Sequence, residues 1–188
     1  KMFKQVVTTD LTNLLGVPVD LQFFTAKDWY AEHHVFDPLL ANATDLSTYV
    51  DVEKVSFDKF NETPELLQEG ESKDFFIYSD LLRSNCKITH QPDWGTLFIQ
   101  YKGKTGVDLK SLAQYIVSFR GENHFHEEIV ECCYARLWEK FAPKELMVTA
   151  LYTRRGGIDI CPARASAQKL LPQDLINPDM LTLRDYRQ

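Results

Sequence analysis

The sequence predicts an α+β fold with elements in the order ββααββ, and three features carry that reading. Short stretches that alternate apolar and polar residues, as strands do, flank two amphipathic stretches of helical spacing. Gly121 separates the two helical stretches, and Pro143 stops the second. Arg154-Arg155-Gly156-Gly157 then reads as a tight turn after a further strand.

Phe3, Val6, Val7, Leu11, Leu14 and Leu15 recur at helical spacing up to Gly16, so the chain opens with a helix. Val17 to Phe23 alternates like a strand. From Thr25 to about Thr63, Asp, Asn and Pro break the pattern, leaving one strand-like piece from Tyr49 to Phe57; this segment reads as connector. Phe75 to Tyr78 is a strand that delivers the chain into a polar loop holding Cys86, and Thr96 to Tyr101 is the next strand. Leu109, Leu112, Ala113 and Ile116 mark one helical stripe; Phe125, Ile129, Cys133 and Leu137 mark the second. Leu146 to Tyr152 is a strand, and Ile158-Asp159-Ile160 runs back after the glycine turn. Helix, breaker, strand and Thr also follow one another at Leu11 to Thr25, an echo of Leu137 to Thr153. The echo predicts that the chain starts inside an earlier copy of the same unit. Residues 1–62 are then the end of a first module plus connector, and 63–188 a second module.

With 188 residues, 44% of them hydrophobic, the chain suits one medium domain or two small ones. Its net charge of −6 and pI near 5.4 leave no basic face of the size nucleic acid requires, so direct nucleic-acid binding is disfavoured. No run of about eighteen apolar residues is present and the N-terminus lacks the apolar core of a signal peptide, which predicts a cytoplasmic, membrane-free protein. The 4 cysteines, Cys86, Cys132, Cys133 and Cys161, include no CxxC and fit neither a disulfide framework nor a zinc knuckle.

Chemistry concentrates in Ser84-Asn85-Cys86-Lys87-Ile88-Thr89-His90-Gln91-Pro92-Asp93-Trp94. Cys86 has polar neighbours and an adjacent cation, Lys87, which favours a thiolate. Pro92 and Trp94 bracket Asp93, suggesting a stiff turn with an aromatic wall where a carboxyl can serve as proton donor. A loop with an incidental Cys and a turn-forming Pro-Asp is the competing reading. Glu127 reads either as a ligand-binding carboxylate or as a first-turn acid favoured by the helix dipole, and His124-x-His126 lacks the second cluster a metal needs. Arg155-Gly156 suits phosphate, since Arg is a forked donor and Gly admits close backbone approach, but an exposed Gly-Gly hairpin is as common. No GxGxxG follows a strand, which excludes a Rossmann site.

Three blocks in order, Ser84 to Trp94, Ser118-Phe119-Arg120 to Asn123-His124-Phe125-His126-Glu127, and Tyr152 to Gly157 with Asp159, resemble the C-terminal module of the two-module 7-cyano-7-deazaguanine reductases, the QueF family. The resemblance covers Leu81 to the C-terminus closely and Lys1 to Asp80 loosely. It implies the tunnelling fold, with an antiparallel sheet and two helices on one face, and a cytoplasmic homo-oligomer, a dimer, in queuosine biosynthesis. It further implies that Cys86 adds to a nitrile as a thioimide, that Asp93 supplies the proton, that His126 and Glu127 bind the deazapurine, and that Arg155 and Gly156 contact NADPH. Two hydride transfers would then give the aminomethyl product, with no metal required. The family's Glu-Ser-Lys motif has no counterpart of matching context: Glu71-Ser72-Lys73 precedes the Cys86 segment, and Asp108-Leu109-Lys110-Ser111 is degenerate. An amidinotransferase acting on a nitrile and a non-catalytic purine-binding fragment are the alternative readings.

Overall fold

The computed structural model describes residues 2–21 and 42–173 and divides the chain into two compact units, Lys1–Val35 and Phe36–Gln188. In the first unit, α1 (Met2–Leu15) ends as the sequence predicts. Gly16 adopts a left-handed φ of 69° and its N–H reaches Thr12 O at 2.9 Å, a helix stop that glycine makes without Cβ strain. Val17 to Leu21 forms no strand, and the rest of the expected strand, Gln22 and Phe23, lies outside the described residues.

The second unit is built on one long strand. β1 (Thr44–Asp45), β2 (Glu69–Gly70), β3 (Ser72–Ser79) and β4 (Arg83–Cys86) precede β5 (Pro92–Val107), which spans 16 residues. Then come α2 (Leu109–Ser118), β6 (Asn123–His124), α3 (His126–Phe141), β7 (Glu145–Tyr152) and β8 (Ala163–Ala165). The main sheet runs β1-β3-β5-β7-β8, antiparallel except for β1 beside β3. The N-terminal end of β5 instead pairs with β4, which pairs in parallel with β6. The expected ββααββ order and antiparallel sheet are both present.

Strand periodicity sorts the two faces. Phe75 and Ile77, then Leu97, Ile99 and Tyr101, then Leu146, Val148, Ala150 and Tyr152 join the core with the buried faces of both helices. The alternate positions Phe98 and Leu151 form a small cluster on the other face with Phe76, Tyr78 and Cys161. Both helices therefore cover one face. Asp93 and Gly95 lie in register with Leu97, so the same face continues past the core into the β4–β5 end of the sheet.

Residues 42–63, the described part of the segment read as connector, pack as part of this unit. Tyr49 to Phe57 is no strand: short 3-10 turns at Leu46–Thr48 and Val52–Lys54 bury Leu46, Val50 and Val55 in the main core. The apolar residues mimic alternation because the turns present them to one side, while Asp51 and Lys54 pair across a turn at 2.6 Å. Polar anchors complete the fit: Gln68 N–H donates to Ser111 Oγ at 3.0 Å, and Tyr115 O–H donates to Glu62 Oε1 at 3.0 Å. This covering explains why α2 is buried almost all round.

A second departure follows Tyr152. Ile158 makes only an isolated bridge with Arg155, and the returning strand is β8, beyond Pro162. Pro162 has no N–H for a ladder, and its carbonyl accepts from Thr149 Oγ1 at 2.8 Å and Ala150 N at 3.3 Å, so regular pairing begins after it. Among the described residues no helix is long and apolar enough to cross a membrane.

Candidate active site

Cys86 is the last residue of β4 rather than part of an open loop. Its N–H donates to Gln91 O at 2.8 Å and its carbonyl accepts from His90 N at 2.9 Å, closing the turn over Lys87, Ile88 and Thr89. His90 closes it with φ 57°, a left-handed conformation that is uncommon outside glycine, and its ring Nδ1 lies 2.8 Å from Asn123 Oδ1. Hydrogen bonds from the Thr89 hydroxyl and then from the Thr89 and Ile88 N–H groups, aided by the charge of Arg155, lower the Cys86 thiol below its ordinary value. Lys87, the cation the sequence singles out, turns away to Glu128 at 2.8 Å. The turn, not the neighbouring lysine, conditions the thiol.

Asp93 sits directly opposite Ser84 in the β4–β5 pair, and Cys86 is two residues along from Ser84 on the same face. The thiol and the carboxylate are thus diagonal neighbours, a relation that sets residues roughly 7–8 Å apart, with their Cβ atoms somewhat closer. Trp94 is on the opposite face, where the Arg83 guanidinium lies 5.8 Å from its ring centroid. The expected aromatic wall is Tyr152 instead. Strand geometry, in which successive side chains alternate, overrides the turn suggested by Pro92.

The Asp93 carboxylate, 1% exposed, is held from two sides. Its Oδ1 accepts from Arg155 Nη2, and its Oδ2 lies 3.2 Å from His126 Nε2. His126, the first residue of α3, stacks on Tyr152 with ring centroids 3.9 Å apart and planes within 5°. Burial lowers His126 below the usual histidine range, opposed by the Asp93 charge, and its buried Nδ1 finds no hydrogen-bond partner among the described residues. Gly95 makes the stack possible: it pairs with Tyr152, and a Cβ there would lie 3.0 Å from the Tyr152 ring.

Arg155 reaches Asp93 from the two-residue hairpin Gly156-Gly157, whose φ values of 58° and 80° are those of a type I′ turn. Arg155 N and Ile158 O, and Ile158 N and Arg155 O, pair at 3.0 Å across it. Among the described residues nothing lies within 4 Å of where a Cβ would stand on either glycine, and the turn adjoins a partly exposed guanidinium. Those donors fit a phosphate-bearing ligand. Arg154 turns instead to Asp159 at 2.7 Å.

The structure thus brings Cys86, Asp93, His126 and Arg155 together. Glu127 is exposed on the first turn of α3, beside this group. Gly156 lies in the adjoining turn. Below them Glu128 caps α3, accepting from Phe125 N at 2.9 Å and joining His124 at 3.1 Å and Lys87, which lowers its carboxyl to about 2. Thr89 and Tyr152 are the participants sequence reasoning missed. Tyr152 reads as the apolar end of a strand, and no spacing pattern reports its stack on His126. Among the described residues no group of three or more His, Cys, Asp and Glu is arranged to hold a metal. A cavity of about 700 Å³ at the N-terminal end of α2, lined in part by Glu71, Ser72, Asp108 and Lys110, contains none of the expected site residues.

Residues 92–170 match the family model of the QueF-like proteins. The chain is 38% identical over 176 residues to a protein of Acinetobacter baumannii (strain SDF) named NADPH-dependent 7-cyano-7-deazaguanine reductase, covering 92% of this chain and 61% of that protein. A Psychrobacter cryohalolentis protein of the same name is 38% identical over 174 residues, covering 89% and 60%. Over 107 residues, 57% of this chain and 39% of its relative, the identity to the Acinetobacter baylyi protein of that name is 49%. The chain therefore spans about three-fifths of the length of the first of these relatives. Among solved structures, an archaeosine synthase QueF-Like in the apo form aligns with a TM-score of 0.44 and 18% identity, covering 53% of this chain and 92% of that one. Over residues 92–170 the chain is thus similar to the QueF-like proteins.

Proposed function

We propose that this chain is part of an oxidoreductase that reduces the nitrile of 7-cyano-7-deazaguanine to the aminomethyl group with NADPH, the reaction in the names of its reductase relatives. One observation supports this above the others: a thiol lowered by its own turn and a buried carboxylate share one face of a single strand pair. A nitrile carbon is electrophilic, so the Cys86 thiolate adds to it while the nitrogen takes a proton from the Asp93 side, giving a covalent thioimide. NADPH, bound through Arg155 and the Gly156 turn, supplies hydride when present. Reducing a nitrile to a primary amine takes four electrons, hence two hydrides.

Glu127, exposed on the first turn of α3 next to His126, accepts the paired N–H donors of a guanine-like edge. His126 contacts the site from below, and its Nε2 orients Asp93. Tyr152 and Gly95 hold that imidazole in place. The reading includes a cytoplasmic homo-oligomer, a dimer, in queuosine synthesis.

The test is to incubate the chain with the nitrile and NADPH, following absorbance of the reduced cofactor and product mass. The reading predicts the aminomethyl product with two NADPH consumed per nitrile. An amidine formed from ammonia without NADPH would overturn it in favour of amidinotransfer.

A further inference from the structure

The β4–β6 ladder ends at the candidate site. Its last pair sets Cys86 beside His124, and beyond it the two chains part, one into the turn over Lys87, Ile88 and Thr89, the other into α3 at His126. The nucleophile and the residues read as binding its substrate thus stand on different chains, just past the point where backbone pairing stops. Among the described residues, two side-chain contacts join those chains again. His90 Nδ1 lies 2.8 Å from Asn123 Oδ1. Lys87 Nζ donates to Glu128 Oε1 at 2.8 Å and lies over the Phe125 ring, 5.3 Å from its centroid.

Glu128 is engaged on its other side as well. Phe125, at the N-cap of α3, has no side-chain oxygen to offer the helix start, so the third helical residue reaches back. Glu128 Oε2 accepts from Phe125 N at 2.9 Å and lies 3.1 Å from His124 Nδ1, whose Nε2 is 3.4 Å from Glu122. The two oxygens therefore serve different partners, one the turn and the other the helix. Held near 2, by Lys87 first, the carboxyl is charged at ordinary pH.

We propose that Lys87 and Glu128 are positioning residues for the addition of Cys86 to a nitrile: their bridge sets the thiol-bearing turn against the first turn of α3, where the substrate is held. The inference rests on the proposed function, in which Cys86 attacks and His126 and Glu127 bind the deazapurine. Neither positioning residue exchanges anything in the step. Cys86 Sγ bonds to the nitrile carbon, one C–N π bond breaks, and the nitrogen takes one proton from the Asp93 side. The bridge contributes alignment, because nucleophile and electrophile arrive on separate chains and small misplacements slow such a step steeply. Thr89, Ile88 and Arg155 lower the thiol, while Lys87 directs its charge to Glu128.

The test follows adduct formation with 7-cyano-7-deazaguanine by intact mass, over time and across nitrile concentration without NADPH, beside alkylation of Cys86 by iodoacetamide across pH. Lys87→Met should slow the limiting rate roughly five- to tenfold, short of the ~100-fold that about 1 Å of misplacement costs, because the His90 contact with Asn123 remains. The half-saturating nitrile concentration and the alkylation midpoint should stay where they are. Glu128→Gln should show the same loss: its amide oxygen still accepts from Phe125 N–H, but its NH2 group faces the Lys87 ammonium. Combining the two should add little, since both break one contact, and Lys87→Arg should restore most of the rate. An unchanged limiting rate in folded Lys87→Met, or a rate loss matched by a shifted alkylation midpoint, would overturn the positioning role and leave the proposed function standing. No adduct on the wild type would overturn the proposed function and this role with it. The Lys87 side chain is 46% exposed, so its variants carry the test alone if Glu128→Gln does not fold.

Discussion

Asp93 and Arg155, 62 positions apart in sequence, meet in an ion pair whose carboxylate is buried and whose guanidinium is partly exposed. Such a pair is asymmetric: removing the cation strands an anion, whereas Asn in place of Asp93 leaves a neutral amide.

Arg155→Met should therefore destabilise the second unit by roughly 3 kcal/mol, the low end for breaking a buried pair because Arg155 keeps contact with water. Asp93→Asn should cost less. Denaturant midpoints of the two variants at neutral pH check the order; the reverse order would mean that the pair is not what holds Asp93.

Cys86 should react with iodoacetamide at lower pH than Cys132, because the Thr89 and Ile88 donors lower the one and burial raises the other. Cys133, fully buried and pushed well up, should stay unmodified until the protein unfolds. Thr89→Val should move the Cys86 curve to higher pH. Peptide mapping across pH reads all three cysteines, and equal rates at Cys86 and Cys132 would contradict the thiolate turn.

Gly95→Val should displace the Tyr152 ring, since the new Cβ would sit 3.0 Å from it. Overpacking of this kind costs about 1–3 kcal/mol. Loss of the stack should also free His126 to titrate nearer the ordinary histidine range, upward from its lowered value. Histidine proton resonances followed through a pH titration detect the change.

Glu128 gives a pH signature. Its folded carboxyl is held near 2 against an ordinary 4.5, by Lys87 first, then the Phe125 N–H and His124. A lowered folded value means that the contribution is fully present above about pH 4.5 and is lost as pH falls through about 2. Glu128→Gln should thus lower the melting temperature at neutral pH, and the gap from wild type should close across that window. The effect is modest, as the pair is solvent-facing. A gap constant down to pH 2 would contradict the assignment.

Much of this was readable in the sequence, for reasons that differ by element. The helices carry strong periodic stripes ended by Gly16, Gly121 and Pro143, and β3, β5 and β7 carry alternation that burial enforces. Val50 and Val55 mislead because a packed irregular segment needs buried apolar residues as much as a strand does. Ile158 misleads because Pro162 delays the ladder. At the site, Cys86, Asp93, His126 and Arg155 stand out as residue types, but their contacts depend on register: Asp93 faces Tyr152 rather than Trp94, and Arg155 finds a carboxylate before any phosphate. Register of that kind is a property of the assembled sheet.

The central claim is that Cys86 bonds covalently to a nitrile. The direct test is the intact mass of the chain after incubation with 7-cyano-7-deazaguanine without NADPH, beside Cys86→Ala. The account predicts an increase equal to one nitrile molecule in the wild type and none in the variant. An unchanged wild-type mass, or an adduct that survives Cys86→Ala, would contradict it.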